Sequence, residues 1–314
     1  MRLLYKYSGY LGLNYFDHPT ITLSMPLGLN DPFESNISEH IYKHFSNYVN
    51  SDIATLQNLK KTLNNYLNLV GVTSLSETNR NLLMWAHYAK EHTGICLGIS
   101  SEFMSHKEHE TYNYTTRHKI ETMAFPQKIN YDSSRFDLNE NSQLDINRFA
   151  NGEFVNDYLK HHLLKKSDEW IYEKEHRTIM PLTSCDGFKD INLNDNKVLK
   201  EYIEEGVTAG HIIKCKHDEK YYKFKDNVFK YMYISIMCHE DKNYAKGIMF
   251  LCEIKPEHIK SIHLGSRFSD EEMNRVIKKI SLESHKLNHV NIYKNSINSN
   301  RFELNTSLVY SKST

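Results

Sequence analysis

Residues 71–99 constrain the fold most strongly, because they place a helical pattern between two short apolar runs. Gly71–Ser76 and Ile95–Ile99 have the length and the β-branched or apolar residues that are typical of strands. Asn79–His92 spaces its apolar residues three and four apart, and the following Gly94 is a common C-terminal stop for a helix. The sequence therefore predicts a strand–helix–strand unit on which the rest of the chain packs.

Further periodic segments predict additional helices and strands. Residues 38–69 repeat apolar side chains mostly every three or four positions, which indicates a helix, whereas Ile171–Leu182 alternates as a strand does. We expect Val228–Met237 and Gly247–Ile254 to form two more strands. Ser184–Asp195 is polar and is predicted to be a loop.

No linker rich in Gly, Ser or Pro divides the 314 residues. We therefore expect residues 1–314 to form one α+β domain, with mixed, mainly antiparallel sheets flanked by helices and a polar insertion within about 183–246. With 39% hydrophobic residues, a chain of this length can bury a substantial core.

Charge and cysteine usage exclude several broad classes of protein. Lys plus Arg and Asp plus Glu both total 39, so no overall basic charge favours a nucleic-acid or membrane surface. Five single cysteines without a Cys-x-x-Cys pair indicate neither a disulfide framework nor a zinc ribbon. The sequence shows no signal-peptide pattern and no apolar run long enough to cross a bilayer, so we expect a cytoplasmic location and no membrane partner.

A first polar segment, Asn30-Asp31-Pro32-Phe33-Glu34, interrupts regular structure. Asn or Asp before Pro favours a cap or an Asx turn, and this role alone would explain the motif. In the alternative interpretation, a rigid turn presents the Asn30 amide, or the Asp31 or Glu34 carboxylate, to a ligand. The sequence leaves both interpretations open.

A second polar segment is the predicted helix at Asn79–His92. An amide, an indole, a phenol and an imidazole fall on one stripe at i, i+4, i+7 and i+11, namely Asn81, Trp85, Tyr88 and His92. Such side chains suit the wall of a small-molecule pocket, and we include the adjacent His87 as a candidate. The alternative is that Trp85 and Tyr88 are core residues and that the two histidines are hydrogen-bonded or exposed.

Ser74, Ser76 and Glu77 lie immediately before this helix. On a strand, the two serine side chains point the same way, and Glu77 at the helix entrance is favoured by the helix dipole. We count all three as candidate ligand-binding residues, with helix capping as the alternative.

A third polar segment, Trp170–Arg177, concentrates charge. In an extended conformation Glu173, Glu175 and Arg177 share one face, and the segment's aromatic residues face the other way. Carboxylates beside a guanidinium are expensive to bury unless they are fully paired or needed for function. A carboxylate flanked by Arg stays ionised, as an electrostatic stabiliser requires, whereas a ladder of surface charges is the alternative.

Familiar metal and nucleotide motifs are missing from the sequence. His87 and His92 are five residues apart, whereas zinc-binding histidines on one helical face are four apart. The chain has no Walker loop, no Rossmann glycine pattern, no Gly-x-Ser-x-Gly and no His-Glu-x-x-His. We therefore predict no metal site.

Several blocks resemble the bacterial family of domain of unknown function 2971. They are LYKY, SMPLGLNDPFE, SLSE, NLLMWAHYAKEHTGICLGIS, WIYEKEHRTI and IKPEHIKSIHLG, which span about residues 3–265. This resemblance implies a context in defence against phage and no specific reaction.

The chain also resembles ADP-ribosyltransferases, which place a polar anchor on an N-terminal strand, a Ser-x-Ser on another and a later Glu-x-Glu. The corresponding residues here are Tyr5 or Lys6, Ser74-Leu75-Ser76 and Glu173-Lys174-Glu175. The resemblance implies that Glu175 contacts the nicotinamide ribose of NAD and Glu173 orients the acceptor. It also implies that the serines position the ribose and that Tyr88 or Trp85 stacks on nicotinamide. The arginine or histidine usual on the first strand is not evident.

We expect an NAD-consuming enzyme that transfers ADP-ribose to a protein or nucleic acid or hydrolyses NAD as an effector against phage. The first alternative is a non-catalytic module that binds a nucleotide or a phage component. The second is a metal-dependent nuclease, which the balanced charge disfavours. The oligomeric state does not follow from the sequence.

Overall fold

Strands and helices alternate through the residues that the computed structural model describes, which are 2–39, 41, 53–107, 122–135, 153–192, 196–216, 218–225, 227–238 and 247–312. The strands, in chain order, are β1 (Leu3–Ser8), β2 (Thr20–Thr22), β3 (Val70–Ser76), β4 (Ile95–Ser100), β5 (Met123–Lys128), β6 (Asn130–Tyr131), β7 (Lys165–Lys166), β8 (Glu175–Pro181), β9 (Gly187–Asp190), β10 (Ile212–Lys214), β11 (Tyr221–Phe224), β12 (Ile248–Glu253), β13 (Ile259–Leu264), β14 (Asn291–Ile297) and β15 (Leu304–Tyr310). The α-helices are α1 (Ile53–Leu69), α2 (Leu82–Tyr88), α3 (Glu153–Leu163), α4 (Lys197–Thr208), α5 (Asn227–Cys238) and α6 (Asp270–Ile280).

Two main sheets organise these strands. The larger has eight strands in the order β15-β14-β13-β4-β1-β3-β8-β5, and the smaller has five in the order β10-β11-β9-β12-β2. Strands β13 and β14 run parallel, whereas the neighbouring pairs around β1, β3, β4 and β8 are antiparallel. The α+β class with mixed, mainly antiparallel sheets is thus confirmed. The region 183–246 supplies β9, β10 and β11 to the smaller sheet.

One large hydrophobic core joins the two sheets. Leu4, Leu97 and Ile262 enter it from the larger sheet, and Phe188 and Phe250 enter it from the smaller sheet. Alternate side chains of a strand point to opposite faces, so each sheet commits one face to this core. The opposite face of the larger sheet carries two smaller clusters, one beneath α1 and α3 and one beneath α2.

The larger sheet is nearly split between β1 and β3. Strand β1 pairs with β4 along its full length, from Leu3 opposite Ser100 to Ser8 opposite Ile95. Its pairing with β3 is limited to Tyr5 opposite Ser76. Beyond that point β3 is bridged by Ser24, whose N–H donates to the Val72 carbonyl at 2.8 Å. Two adjacent strands therefore diverge near the middle of the sheet and leave a gap between them.

The structure corrects several predicted elements. Val228–Met237 belongs to α5 and is not a strand, because its apolar residues include Tyr233, Ile234 and Met237, which are spaced to bury one helical face. Within the predicted loop Ser184–Asp195, residues Gly187–Asp190 form the strand β9. Short apolar runs do not distinguish a strand from a buried helix, and tertiary pairing decides between them.

Two further corrections concern the polar segments. The predicted helix Asn79–His92 is α2 alone, Leu82–Tyr88, because Lys90, Glu91 and His92 have positive φ angles that end it. The predicted strand Ile171–Leu182 begins at Glu175, since residues Asp168–Glu173 form a 3-10 helix that ends at Lys174 with φ 48°.

Part of the predicted helix at 38–69 and the turn 239–246 lie outside the described residues. In the part of the chain that is described, no helix has both the length and the apolar character needed to cross a membrane.

Candidate functional site

A pocket of about 220 Å³ lies where β1 and β3 diverge. Its walls come from β1, β3, α2, the start of β8 and the segment that follows β2. The pocket brings together most of the candidates, namely Tyr5, Lys6, Asn30, Glu34, Ser74, Ser76, Tyr88, Glu173, Glu175 and Arg177. Three segments that are far apart in sequence thus meet at one place.

Register explains why the serines and the charged residues meet. Strands β3 and β8 are antiparallel neighbours, with Ser74 opposite Arg177 and Ser76 opposite Glu175. The Ser74 hydroxyl lies close enough to the Glu175 carboxylate to help lower its pKa. Ser74 and Ser76 lie two residues apart on β3, and both line the pocket.

Arg177 is fully buried, and all three nitrogens of its guanidinium donate hydrogen bonds to other groups of the protein. Its Nε donates to Glu175 Oε1 at 2.7 Å, and its Nη2 donates to Glu175 Oε2 at 3.0 Å and to Glu34. Its Nη1 donates to the Leu163 carbonyl at 2.8 Å. A bidentate guanidinium fixes both the position and the charge of a carboxylate. Arg177, predicted to bind a ligand, lines the pocket and holds two of its carboxylates.

Lys166 is a pocket residue that the sequence did not reveal. Its Nζ lies 2.6 Å from Glu173 Oε2 and 3.2 Å from Glu175 Oε2, and all three side chains are buried. Burial would lower the pKa of Lys166, but Glu175, Glu34 and Glu173 outweigh this effect and raise it. The signal that could have revealed it is the Lys165-Lys166 pair placed seven residues before Glu173, which has no motif of its own.

The surroundings of Glu175 keep its carboxylate ionised. Burial alone would raise the pKa of Glu175, but Arg177, Lys166 and the Ser74 hydroxyl outweigh burial and lower the pKa to about 2. The expectation of an Arg-flanked, ionised carboxylate therefore agrees with this environment. The alternative interpretation, a ladder of charges on the surface, is wrong, because Glu173, Glu175 and Arg177 are all buried.

Glu34 differs from Glu175 although both contact Arg177. Burial is the largest influence on Glu34 and raises its pKa, whereas Arg177 and Lys166 act in the opposite direction. Its Oε1 accepts from Arg177, and its buried Oε2 has no hydrogen-bond partner among the described residues. The pKa values of the two carboxylates that share one guanidinium are therefore shifted in opposite directions.

Hydrogen bonds hold the remaining polar groups around the pocket. Tyr88 donates its hydroxyl hydrogen to Glu173 Oε1, and the Asn30 side chain, also at the pocket wall, lowers the pKa of Tyr88 against the larger effect of burial. Ser76 donates to the Glu173 carbonyl at 2.7 Å. Lys6 Nζ donates to the Ser74 carbonyl at 3.0 Å across the gap between β1 and β3, and burial lowers the pKa of Lys6.

Six candidates do not line the pocket, five of them polar residues and the sixth Trp85. The Asp31 carboxylate accepts from the Phe33 N–H at 2.9 Å, which is the Asx turn of the alternative interpretation. Glu77 lies outside the pocket and forms an ion pair with Arg2 at 2.8 Å. His87 is exposed next to Tyr88, and His92 lines a separate depression with Arg267. Asn81, the fifth, caps a helix.

Trp85 is a core residue and does not face the pocket. Its side chain is fully buried, and its Nε1 donates to the Asn79 carbonyl at 2.8 Å. Its ring makes an edge contact with Tyr7 at a centroid distance of 5.2 Å. The predicted stripe fails because α2 is too short to include Asn81 and His92, so only Tyr88 of the stripe reaches the pocket.

Asn81 is the N-cap of α2. Its Oδ1 accepts from the N–H groups of Leu83 at 2.9 Å and Met84 at 3.2 Å, and its Nδ2 donates to the Tyr172 carbonyl. We expect Asn81→Ala to lower the free energy of unfolding by about 1 kcal/mol, which is typical of a lost cap. Urea denaturation measures this loss. Asn81→Asp keeps the cap acceptor and should recover most of the stability, whereas equal losses in both variants would contradict capping as the main role.

Within the described residues, no group of three or more His, Cys, Asp or Glu side chains is arranged to hold a metal ion. The three pocket carboxylates, Glu34, Glu173 and Glu175, are instead in contact with the cations of Lys166 and Arg177.

Comparison with known families gives one match. The model of a family described as a protein of unknown function, DUF2971, matches residues 84–178. This segment begins within α2 and includes the charged residues from Lys166 to Arg177, whereas β1, β3 and the Asn30–Glu34 turn precede it. No curated protein and no solved structure matched the chain.

Proposed function

Residues 84–178 match the model of the DUF2971 family, and we propose that the pocket of this chain binds NAD and breaks the bond between nicotinamide and ribose. One observation carries this proposal. The neighbouring strands β1, β3 and β8 bring Lys6, the two serines and the ionised Glu175 to one pocket. These are the groups that the ADP-ribosyltransferase resemblance implies.

The reaction needs a fixed anion more than any other group. The C1′–N bond breaks with its electron pair going to the nicotinamide nitrogen, which was cationic and leaves neutral. The ribose is left with oxocarbenium character at C1′, and a buried carboxylate beside it stabilises that charge. An acceptor nucleophile or water then bonds to C1′ and loses its proton. ADP-ribose is thereby transferred or released.

Each pocket residue has a role that its contacts support. Glu175 is the anion, oriented by the bidentate Arg177. Tyr88 and Ser74 present hydroxyl groups at the pocket wall, suited to the hydroxyls of a ribose or to the ring of nicotinamide. Glu173, held by Tyr88 and Lys166, orients the acceptor.

Pocket size supports binding of part of the ligand. Sites for drug-sized ligands enclose about 300–1,000 Å³, whereas this pocket encloses about 220 Å³. The nicotinamide and its ribose would fill the pocket, and the rest of the dinucleotide would extend over the surface. We place this activity in defence against phage, following the context that the family resemblance implies.

A different observation favours a non-catalytic binding module. Both oxygens of Glu175 accept from Arg177, and Oε2 also contacts Lys166, so two cations offset its charge. Carboxylates paired in this way often hold a fold together and do no chemistry. In that case the same pocket recognises a nucleotide, and binding is not followed by turnover.

Incubation with labelled NAD separates the two functions. NAD labelled in the nicotinamide and in the adenylate is incubated with the protein, alone and with mixed protein and nucleic-acid acceptors. Release of nicotinamide supports the enzyme, and transfer of the adenylate label identifies the acceptor. Saturable binding that leaves NAD intact would support the binding module. If the protein neither binds nor consumes NAD, the NAD-consuming enzyme is overturned, and the ligand of a binding module would be a different molecule.

A further inference from the structure

A strip of partly exposed aromatic rings borders the pocket at the surface. Tyr88 lines the pocket, and the exposed ring of His87 lies 6.5 Å from it, measured between ring centroids. Tyr172 follows at 6.4 Å from His87, and Trp170 at 6.1 Å from Tyr172. Rings at such distances are neighbours in contact range. The strip therefore consists of Tyr88, His87, Tyr172 and Trp170.

Local structure keeps the strip in place. His87 and Tyr88 lie in the last turn of α2, and Trp170 and Tyr172 lie in the 3-10 helix Asp168–Glu173. The Asn81 side chain donates to the Tyr172 carbonyl and so ties the two helices together. The sequence analysis assumed that Trp170–Arg177 is extended, which would put Trp170 and Tyr172 on the face opposite the charged residues. The 3-10 helix instead brings them beside α2.

Both ends of the strip contact the charges of the pocket. At one end Tyr88 donates to Glu173. At the other end Lys166 Nζ lies 4.7 Å from the Trp170 ring centroid, and the same ammonium contacts Glu173 and Glu175. A ligand that leaves the pocket near Tyr88 would therefore meet a partly exposed row of flat rings.

We propose that this strip binds the adenine ring of the dinucleotide, with the ring stacked on Trp170, which lies at the end of the strip away from Tyr88. This inference rests on the proposed function, because it assigns the part of NAD that a pocket of about 220 Å³ leaves outside. Stacking suits this surface because every nucleobase has a π-face and needs no specific hydrogen-bond partner there. A planar heteroaromatic ring is thus the chemical class that the strip accepts.

The test compares three ligands by calorimetry, namely NAD, nicotinamide mononucleotide and ADP-ribose. Loss of one base–aromatic stacking contact weakens binding by roughly 5- to 150-fold. Trp170→Ala should therefore weaken the binding of NAD and ADP-ribose by about tenfold or more and leave the mononucleotide unchanged. Trp170→Phe keeps a ring and should restore most of the affinity.

Ile171→Ala is the matched control, because Ile171 lies between the two aromatic residues and is 61% exposed. It should bind all three ligands as the native protein does. If the mononucleotide binds and Trp170→Ala does not weaken NAD binding, adenine stacking on the strip is overturned and the proposed function stands. If ADP-ribose binds in a way that depends on Trp170 but the mononucleotide does not bind, adenine stacking on the strip is supported and the proposed function is overturned. Failure of all three ligands to bind would overturn both.

Discussion

Glu175→Gln is expected to slow nicotinamide release from NAD by on the order of 100- to 1,000-fold, the usual cost of removing one group that stabilises developing charge. The substitution removes the charge and retains the shape of the side chain. Arg177 keeps its hydrogen bond to Glu34, and Lys166 keeps its hydrogen bond to Glu173, so the variant should still fold. The rate is measured under single-turnover conditions with saturating NAD, which separates the chemical step from binding.

The control for this variant is Glu169→Gln. Glu169 lies in the neighbouring 3-10 helix, and its side chain is exposed and outside the pocket. Because the pKa of Glu175 is lowered to about 2, protonation of this carboxyl should not reduce the native rate at any pH above about 4. Equal rates for the native protein and Glu175→Gln would remove Glu175 from the mechanism.

The second large effect concerns the stability of the protein. We expect Arg177→Met to lower the free energy of unfolding by about 3–5 kcal/mol, the cost of leaving buried charges without their partner. Glu175 and Glu34 are 4% and 3% exposed, and both would lose the guanidinium between them. Lys166 remains near Glu175, but one ammonium cannot replace the two forked bonds of Arg177.

Arg275→Met provides a matched comparison. Arg275 also contacts two carboxylates, those of Glu271 and Glu272, but its side chain is 55% exposed on α6. Exposed ion pairs contribute about 0–1 kcal/mol, so this variant should unfold at nearly the native urea concentration. If the two variants lost the same stability, the buried network would not stabilise the fold as we describe.

The sequence predicted the strands of the pocket better than its helices. Strands β3 and β4 were identified within one residue at each end, because their apolar runs end at clear turn signals. The end of α2 was misplaced because Gly94 suggested a later stop. The chain leaves the helix at Ala89, and Lys90 begins a run of three positive φ angles in non-glycine residues. Sequence patterns rarely indicate such conformations outside glycine.

The sequence predicted which segments form the site. It did not predict which of their side chains contact one another. Glu173, Glu175 and the serines were singled out from their spacing, and the pocket contains all of them. Lys166 was missed because an isolated lysine pair has no local pattern, and its contact with Glu175 depends on a parallel pairing of β7 with β6. The roles of Asp31 and Glu34 could not be separated, because only the fold determines which carboxylate turns inward.

The gap between β1 and β3 has a consequence for how such a pocket changes during evolution. Along most of a sheet, a substitution must fit a ladder of backbone hydrogen bonds and closely packed neighbours. Here the two strands share only the pair Tyr5 and Ser76, and side chains such as Lys6 span the rest of the distance. New side chains at the edges of this gap can alter its width and polarity while the flanking ladders β1–β4 and β3–β8 persist. A few point substitutions at these edges can therefore change the ligand that the pocket accepts while the two ladders stay as they are.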